Sequence, residues 1–220
     1  MPLLVLVFVL GNVAIFAQLA YGPDMPGRIG AAVAAGSLAV ADETPKYTYV
    51  GSSKCKMCHI AESKSWKKTR MGKAFETLKP GVAAEAKTKH GLDPAKDYTT
   101  DVSCLKCHTT GFGHEGGYAV PDPSDKKAVR RSKRLAGVGC ESCHGPGSEY
   151  IKVHREVFKS KRKYKVEEFY AAGMKKIDAT ACTNCHNSEG PTVKEGYSFD
   201  FDEKKDEDTH ERKEMKQREE

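Results

Sequence analysis

Apolar residues are concentrated at the N-terminus of this chain and afterwards recur only in short, interrupted patterns. Residues 3–20, LLVLVFVLGNVAIFAQLA, are almost continuously apolar and have the length of a short membrane span. A second stretch starts at Met25 and has the layout of a secretory signal peptide, with cleavage expected after Ala41. Residues 1–41 are therefore predicted to be a signal peptide or N-terminal membrane leader. Retention of residues 3–20 as a membrane anchor is the alternative.

Beyond the leader, helical periodicity predicts several short helices. Between residues 60 and 78, apolar or small side chains recur every three to five positions. Residues 149–158 have a similar pattern, and a further short helix is predicted before Gly91. The glycine-rich and proline-rich residues 111–123 are predicted to be loop or short strand, whereas residues 200–220 are predicted to be a charged helix or tail. The predicted fold class is mainly α with long loops.

Composition predicts a thin apolar core. Removal of the first 41 of the 220 residues leaves about 179, and the whole chain has one tryptophan, 30% charged residues and a mean hydropathy of -0.59. Side chains of this kind fill the interior of a single domain poorly. We therefore expect residues 42–199 to form one domain that needs bound cofactors to complete its core.

Four copies of the pattern Cys-x-x-Cys-His contain every cysteine in the chain. They are CKMCH at 55–59, CLKCH at 104–108, CESCH at 140–144 and CTNCH at 182–186, named motifs I to IV here. Two thiols at this spacing can form thioether bonds to one haem, and the adjacent histidine binds its iron. The predicted attachment residues are Cys55, Cys58, Cys104, Cys107, Cys140, Cys143, Cys182 and Cys185, and the predicted proximal iron ligands are His59, His108, His144 and His186.

Zinc sites, thioredoxin-like redox sites and a framework of four disulfides are the competing interpretations of paired cysteines. None of these requires a histidine directly after every second cysteine, and here no cysteine is left outside a motif. We therefore expect four covalent haem c groups, haems I to IV, in a single domain of the multihaem cytochrome c class.

Three further residues are candidates for second iron ligands. Met71 follows His59 by twelve residues, about 18 Å along a helix, so it cannot bind the iron of haem I but could reach another. His154 lies on the predicted helix ten residues after His144, and His210 is the candidate in the charged tail. The ordinary alternatives are a core methionine, a surface histidine and a frayed terminal residue.

Charge and export together restrict the partners. The formal net charge is +6, and residues 125–134 are rich in lysine and arginine. This run is either a solvated helix face or a docking patch for an acidic redox partner. Haem attachment to thiols takes place outside the cytoplasm, so the predicted location is the periplasm or an equivalent exported compartment, and nucleic acid is not expected as a partner.

Several segments that haem attachment does not demand resemble the cytochrome c-554 family. They are SWKKT at 65–69, LKP at 78–80, LDPAKDYT at 92–99, GFG with GGY at 111–118, GVGCESCHGPG at 137–147 and YSFDFDE at 197–203. The resemblance implies a tetrahaem electron carrier that receives electrons from hydroxylamine oxidoreductase in ammonia-oxidising bacteria. It therefore implies a hydroxylamine oxidoreductase-like donor, with a membrane or soluble cytochrome as the acceptor.

The resemblance also implies an axial ligand set. In the family, haems I, III and IV have two histidine ligands, whereas haem II has an open iron face. His154 is then the distal ligand of haem I, and His210 is the candidate for haem IV. Met71 occupies the position of the haem III ligand, where the family has histidine.

The methionine at position 71 leads to a hypothesis about haem III. Thioether sulfur favours ferrous iron, so a haem bound by His144 and Met71 would have the highest potential of the four. The alternatives are recruitment of His90 or His114, or an open iron.

Electron transfer by hopping between closely packed haems is the expected function. One alternative is an enzyme that reduces a small ligand such as nitric oxide at the open iron of haem II. The other is a subunit of a larger multihaem electron-transfer complex.

Overall fold

A computed structural model describes residues 47–193 and 197–219 of this protein, so the predicted leader at 1–41 lies outside the described residues. Short α-helices joined by long loops make up the described chain. They are α1 (Ile60–Trp66), α2 (Ala84–Lys89), α3 (Val102–His108), α4 (Lys126–Leu135), α5 (Cys140–His144), α6 (Tyr150–Ser160), α7 (Val166–Ala171), α8 (Ala179–Thr183) and α9 (Phe201–Lys204), with a 3-10 helix at Met71–Leu78. The predicted mainly α fold with long loops is confirmed.

Pairing between extended segments is limited in the described ranges to two isolated β-bridges. One joins Thr109 to Ala136, and the other joins Tyr164 to Arg218 near the C-terminus. None of the helices in residues 47–193 and 197–219 has the length and apolar character needed to cross a bilayer.

Aspartate side chains begin four of the helices. Asp101, Asp125, Asp178 and Asp200 precede α3, α4, α8 and α9, and each carboxylate accepts a backbone N–H from the first turn that follows. These bonds satisfy N–H groups that have no partner inside the helix. Since α3 and α8 contain cysteines of motifs II and IV, the caps fix where two of the haem-attachment turns begin.

The helix predicted over residues 60–78 is interrupted in the structure. At the break, the Thr69 hydroxyl donates to the carbonyl of Trp66 at 2.7 Å and accepts the N–H of Gly72 at 2.9 Å. These local hydrogen bonds compete with helical ones. A Cβ atom at position 72 would lie 2.2 Å from the Trp66 carbonyl oxygen, so the turn requires glycine there. Met71 therefore begins a separate 3-10 helix.

The other helix predictions agree with the structure in part. The helix predicted at 149–158 is observed as α6, and the short helix predicted before Gly91 is observed as α2. The charged tail is helical only in α9, and its remaining residues follow an irregular path.

The buried apolar cluster is small and surrounds α3. Its members are Leu78, Tyr98, Cys104, Leu105, Tyr118 and Leu135. Leu105 on α3 is fully buried. Backbone hydrogen bonds from Tyr98 to Leu78 and from Thr110 to Leu135 connect the loops to this cluster. A core of this size agrees with the expectation that haems complete the interior.

Candidate haem sites

Each Cys-x-x-Cys-His motif forms one turn of helical backbone. Motif II is the end of α3 and motif III is the whole of α5, whereas motif I is a turn that leads into α1 and motif IV extends α8. In motifs I and IV, the histidine N–H donates to the carbonyl of the first cysteine, at 3.0 Å in motif I and 2.9 Å in motif IV. A helical turn places positions i, i+3 and i+4 on one side. Both thiols and the imidazole can therefore face the same haem, so the residues fit the cofactor.

The eight cysteines all lie within the described residues, and no disulfide joins any of them. Two thiol contacts instead bring different motifs together. The thiols of Cys55 and Cys140 are neighbours, which raises the pKa of Cys55 and lowers the pKa of Cys140. In the second contact, the Cys107 thiol donates to the Cys185 carbonyl at 3.9 Å, and the proximity of the two thiols lowers the pKa of Cys107 and raises the pKa of Cys185. Motif I is therefore adjacent to motif III, and motif II is adjacent to motif IV.

A third contact joins these two pairs. Helix α5 packs against α8. Burial, together with the neighbouring thiols of Cys182 and then Cys140, raises the pKa of Cys143 to about 11. The thiol and helix contacts therefore connect the motifs in the order I, III, IV, II. Motif II also lies beside the segment that leads into motif III, where the Gly137 N–H donates to the His108 carbonyl at 3.1 Å.

His59 and His154 meet at motif I. Their Nε2 atoms lie 3.1 Å apart, and their ring centres are separated by 5.1 Å at an interplanar angle of 72°. Burial and then the nearby His59 lower the pKa of His154, which favours the neutral imidazole that binds metals. The ring of Phe169 on α7 packs edge-on against His154 at 5.8 Å. The structure thus brings together His59 of motif I and His154, which the family resemblance predicts to be the distal ligand of haem I.

At motif III, His144 lies beside His210. The two ring centres are 6.3 Å apart with an interplanar angle of 30°. Burial, followed by His210 and His59, lowers the pKa of His144 to about 4. The family resemblance makes His210 the candidate for haem IV, but the structure places its ring against His144 of motif III.

His186 at motif IV has aromatic neighbours from the segment YSFDFDE. The Phe199 ring lies 4.8 Å from the His186 ring at 32°, and the Tyr197 hydroxyl lies 3.4 Å from Nδ1. The resemblance identified this segment from its residues alone, and the structure shows that its aromatic side chains contact His186 of motif IV.

His108 at motif II is oriented by the 3-10 helix. Its Nδ1 lies 2.7 Å from the Ala74 carbonyl oxygen and 3.4 Å from the Thr77 hydroxyl. Because a carbonyl only accepts, Nδ1 carries the proton and Nε2 is free to bind iron. Neither Ala74 nor Thr77 could be identified from the sequence, since the contact depends on how the 3-10 helix packs against α3.

The remaining candidates lie apart from these pairs. Met71 is half-buried at the start of the 3-10 helix, where its N–H donates to the Asp208 carboxylate at 3.2 Å. His90 is exposed at the end of α2. His114 is exposed in the loop at 111–117, with its ring 6.2 Å from the ring of Tyr49.

Glu141, inside motif III, is a structural residue that the spacing of the motifs does not identify. It is 1% exposed, and its carboxylate accepts N–H groups from Val50, Gly51 and Gly147 at 2.6 to 3.2 Å. Burial raises the pKa of Glu141, and these three hydrogen bonds oppose that effect. Glu141 thereby joins the segment before motif I to the turn after motif III.

Comparison with known proteins gives consistent matches. A family model described as "Cytochrome c554 and c-prime" matches residues 54–145. The chain is similar to cytochrome c-554 of Nitrosomonas europaea, with 41% identity over 174 residues that cover 70% of this chain and 71% of that protein. It is also similar to the solved structure of reduced cytochrome c554 from Nitrosomonas europaea, with a TM-score of 0.65 and 38% identity over 79% of this chain and 90% of that chain.

Proposed function

The chain belongs to the cytochrome c-554 family, and from this premise we propose that it is a periplasmic carrier that passes electrons between redox partners by hopping between its haems. Membership makes it an electron-transfer cytochrome with covalent haem c, and its four motifs correspond to four haems. When bound, each haem supplies an iron that takes up and releases a single electron.

The observation that carries this proposal is the order of the motifs in space. The neighbouring thiols of Cys55 and Cys140, the packing of α5 against α8, and the contact between Cys107 and Cys185 join all four motifs into one series. Short separations between sites favour electron hopping without substrate chemistry. The protein's own contribution is to fix these separations and to set the reduction potential of each haem through its axial ligands, hydrogen bonds and burial.

Helix α4 provides a surface for a negatively charged partner. Its exposed basic side chains, here called the α4 basic face, form no ion pair with any residue in the described parts of the chain. They are Lys126, Lys127, Arg130, Arg131, Lys133 and Arg134. Unpaired positive charge increases the rate of encounter with an acidic protein. This supports an acidic donor, for which the family resemblance suggests a hydroxylamine oxidoreductase-like enzyme, and a membrane or soluble cytochrome as the acceptor.

The proposed location depends on the leader rather than on the described residues. The signal-peptide pattern at 25–41 and the need for thioether formation outside the cytoplasm both support export. Residues 3–20 would add membrane association if they were retained. Separation of periplasmic, membrane and cytoplasmic fractions, followed by haem staining, would distinguish these locations. Haem-stained protein in the cytoplasmic fraction alone would contradict export.

One observation favours a second candidate function at haem II. The family resemblance gives haem II an open iron face, and within residues 47–193 and 197–219 no second histidine ring packs against His108. The same is true of His186 at motif IV, whose aromatic neighbour is Phe199. An iron with one protein ligand can bind a small molecule such as nitric oxide.

A kinetic experiment separates the carrier from the reductase. The reduced, haem-loaded protein would be mixed in one arm with an oxidised soluble cytochrome c of higher potential and in another arm with nitric oxide. We expect fast reoxidation by the cytochrome, with nitric oxide bound at one haem at most and without turnover. Multiple turnovers of nitric oxide together with slow reoxidation by the cytochrome would contradict the carrier function.

A further inference from the structure

We propose that His210 is the second axial ligand of haem III, so that His144 and His210 bind the same iron and Met71 does not. The two ring centres are 6.3 Å apart, and the rings are inclined by only 30°. Two metal–imidazole bonds of about 2 Å each, extended by the radius of each ring, span roughly 6 Å between ring centres. The observed separation therefore leaves room for one metal ion between the rings.

Hydrogen bonds on both sides of His210 hold it in this position. On one side, the Asp208 carboxylate accepts the N–H groups of Arg70 at 2.8 Å and Met71 at 3.2 Å. On the other side, the N–H of Glu211 donates to the Ser65 hydroxyl at 2.9 Å. Both anchors lie at the junction between α1 and the 3-10 helix, so the C-terminal segment crosses this junction with His210 in the middle.

The rest of the C-terminal segment is also attached to the domain. The Tyr164 N–H donates to the carbonyl of Gln217 at 3.0 Å, and the Glu219 N–H donates to the carbonyl of Tyr164 at 2.8 Å. The Trp66 ring lies 6.4 Å from the His210 ring at 74°. These contacts contradict the interpretation of His210 as a frayed terminal residue.

The protonation of His210 suits a ligand. Its Nδ1 lies 2.7 Å from the Glu211 carbonyl oxygen, which can only accept, so the proton is on Nδ1. Histidines that bind metals commonly donate the other ring N–H to a carbonyl in this way, which leaves the lone pair of Nε2 available.

The same arrangement accounts for the methionine at position 71. Asp208 accepts the Met71 N–H, so the tail that carries His210 is fastened at the position from which the family supplies its haem III ligand. A histidine delivered by the tail removes the need for one on the 3-10 helix. Haem III then has two imidazole ligands, and its potential is lower than a histidine–methionine pair would give.

The experiment uses the haem-loaded protein and four variants at Met71 and His210, with haem content per chain measured first. Electron paramagnetic resonance and near-infrared spectra distinguish histidine–histidine, histidine–methionine and five-coordinate haems. We expect no histidine–methionine signature in the wild type and no change in Met71→Leu. His210→Ala should convert one six-coordinate, low-spin haem to a five-coordinate haem, and added imidazole should restore it. His210→Met should convert the same haem to histidine–methionine ligation and raise its potential.

A second-site variant identifies which haem is affected. The resemblance places position 71 at haem III, so Met71→His in the His210→Ala background should restore the low-spin haem without added imidazole. The proposal is overturned if His210→Ala leaves the electron paramagnetic resonance and near-infrared spectra unchanged, or if Met71→Leu produces the five-coordinate haem. It is also overturned if Met71→His in the His210→Ala background does not restore the low-spin haem. These spectra do not depend on electron exchange with partners, so a carrier function could fail while the ligand assignment stands.

Discussion

At the scale of single residues, Glu141 shows how one buried side chain connects two haem sites. Three backbone N–H groups donate to its carboxylate, and two of them belong to Val50 and Gly51, about ninety residues earlier in the chain. A Cβ atom at the neighbouring Gly139 would lie 2.4 Å from the Ser52 hydroxyl and 2.7 Å from the Thr110 hydroxyl, so a larger residue would displace the two hydroxyls that accept the N–H groups of Cys140 and Gly139. Glu141 and Gly139 both belong to the segment GVGCESCHGPG. Their contacts give a structural reason for residues in this segment that haem attachment itself does not require.

We expect Glu141→Gln to destabilise the folded protein by about 2 kcal/mol, because the amide accepts through only one oxygen and leaves a buried N–H without a partner. Chemical denaturation of the haem-loaded protein, followed by circular dichroism, measures the change. Glu149→Gln is the matched control, since Glu149 pairs with Lys152 on the exposed face of α6. That control should change stability by less than about 0.5 kcal/mol. Equal effects of the two substitutions would contradict the structural role of Glu141.

The titration of Glu141 adds a pH dependence with a defined sign. Burial raises its folded-state pKa above its ordinary value of 4.5, so the folded protein keeps a proton that the unfolded chain releases in this window. The stability of the wild type relative to Glu141→Gln should therefore fall as the pH rises from 4.5 through the folded-state pKa, and it should be constant above that. Denaturation curves of both proteins between pH 4 and 8 would show this. A difference that widens with rising pH would contradict it.

At the scale of elements, helix α4 combines one buried side and one charged side. Leu135 and Ser132 are buried, and Asp125 caps the first turn by accepting the N–H groups of Lys127 and Ala128. The α4 basic face is therefore held on a well-anchored helix. Unpaired positive charge on this face would increase the rate at which the protein associates with an acidic partner.

We expect the double substitution Lys126→Glu and Arg130→Glu to slow electron transfer with an acidic protein partner about tenfold at low ionic strength. The difference should disappear at high salt, where the charges are screened. The control is Lys204→Glu with Lys205→Glu, which makes the same change in net charge at residues already paired with Glu203 and Asp202. Stopped-flow kinetics over a range of salt concentrations measures both variants. Similar slowing in both would show that net charge, rather than the α4 basic face, controls the encounter.

Elements were predictable from the sequence where local signals decide them. The helix predicted at 149–158 agrees with α6, because the spacing of its apolar residues and its packing against α7 both favour a helical backbone. The helix predicted at 60–78 was wrong at Thr69, because a side-chain hydroxyl captured the backbone groups that a helix would use. The path of the tail beyond α9 could not be predicted, because distant anchors at Ser65 and Tyr164 determine it.

At the scale of the whole molecule, the haems replace a conventional core. The fully buried apolar side chains of residues 47–193 and 197–219 are few, and large apolar residues such as Phe158 and Val102 remain exposed. The count and spacing of the cysteines predicted four haems, but the order of the motifs in space could not be deduced from their order in the chain. That order depends on contacts between motifs separated by about 80 residues, such as Cys55 with Cys140 and Cys107 with Cys185.

This order has a consequence for variants that lack one haem. Motif II lies at one end of the series of contacts I, III, IV, II, so Cys104→Ala with Cys107→Ala would leave the attachment sites at motifs I, III and IV in contact. Motif III lies inside the series, so Cys140→Ala with Cys143→Ala would remove the haem that connects motif I to motifs IV and II. Each variant retains three haems, and each therefore serves as the control for the other.

We expect the variant without haem II to be reduced by a limiting electron donor in a single kinetic phase, because electrons redistribute among three neighbouring haems. The variant without haem III should be reduced in two phases, because haem I exchanges electrons with the other two across a gap. Stopped-flow spectra at the haem absorption bands measure the phases, and circular dichroism establishes that both variants are folded. A single phase of equal rate in both variants would show that the haems are not connected in the order of their motifs.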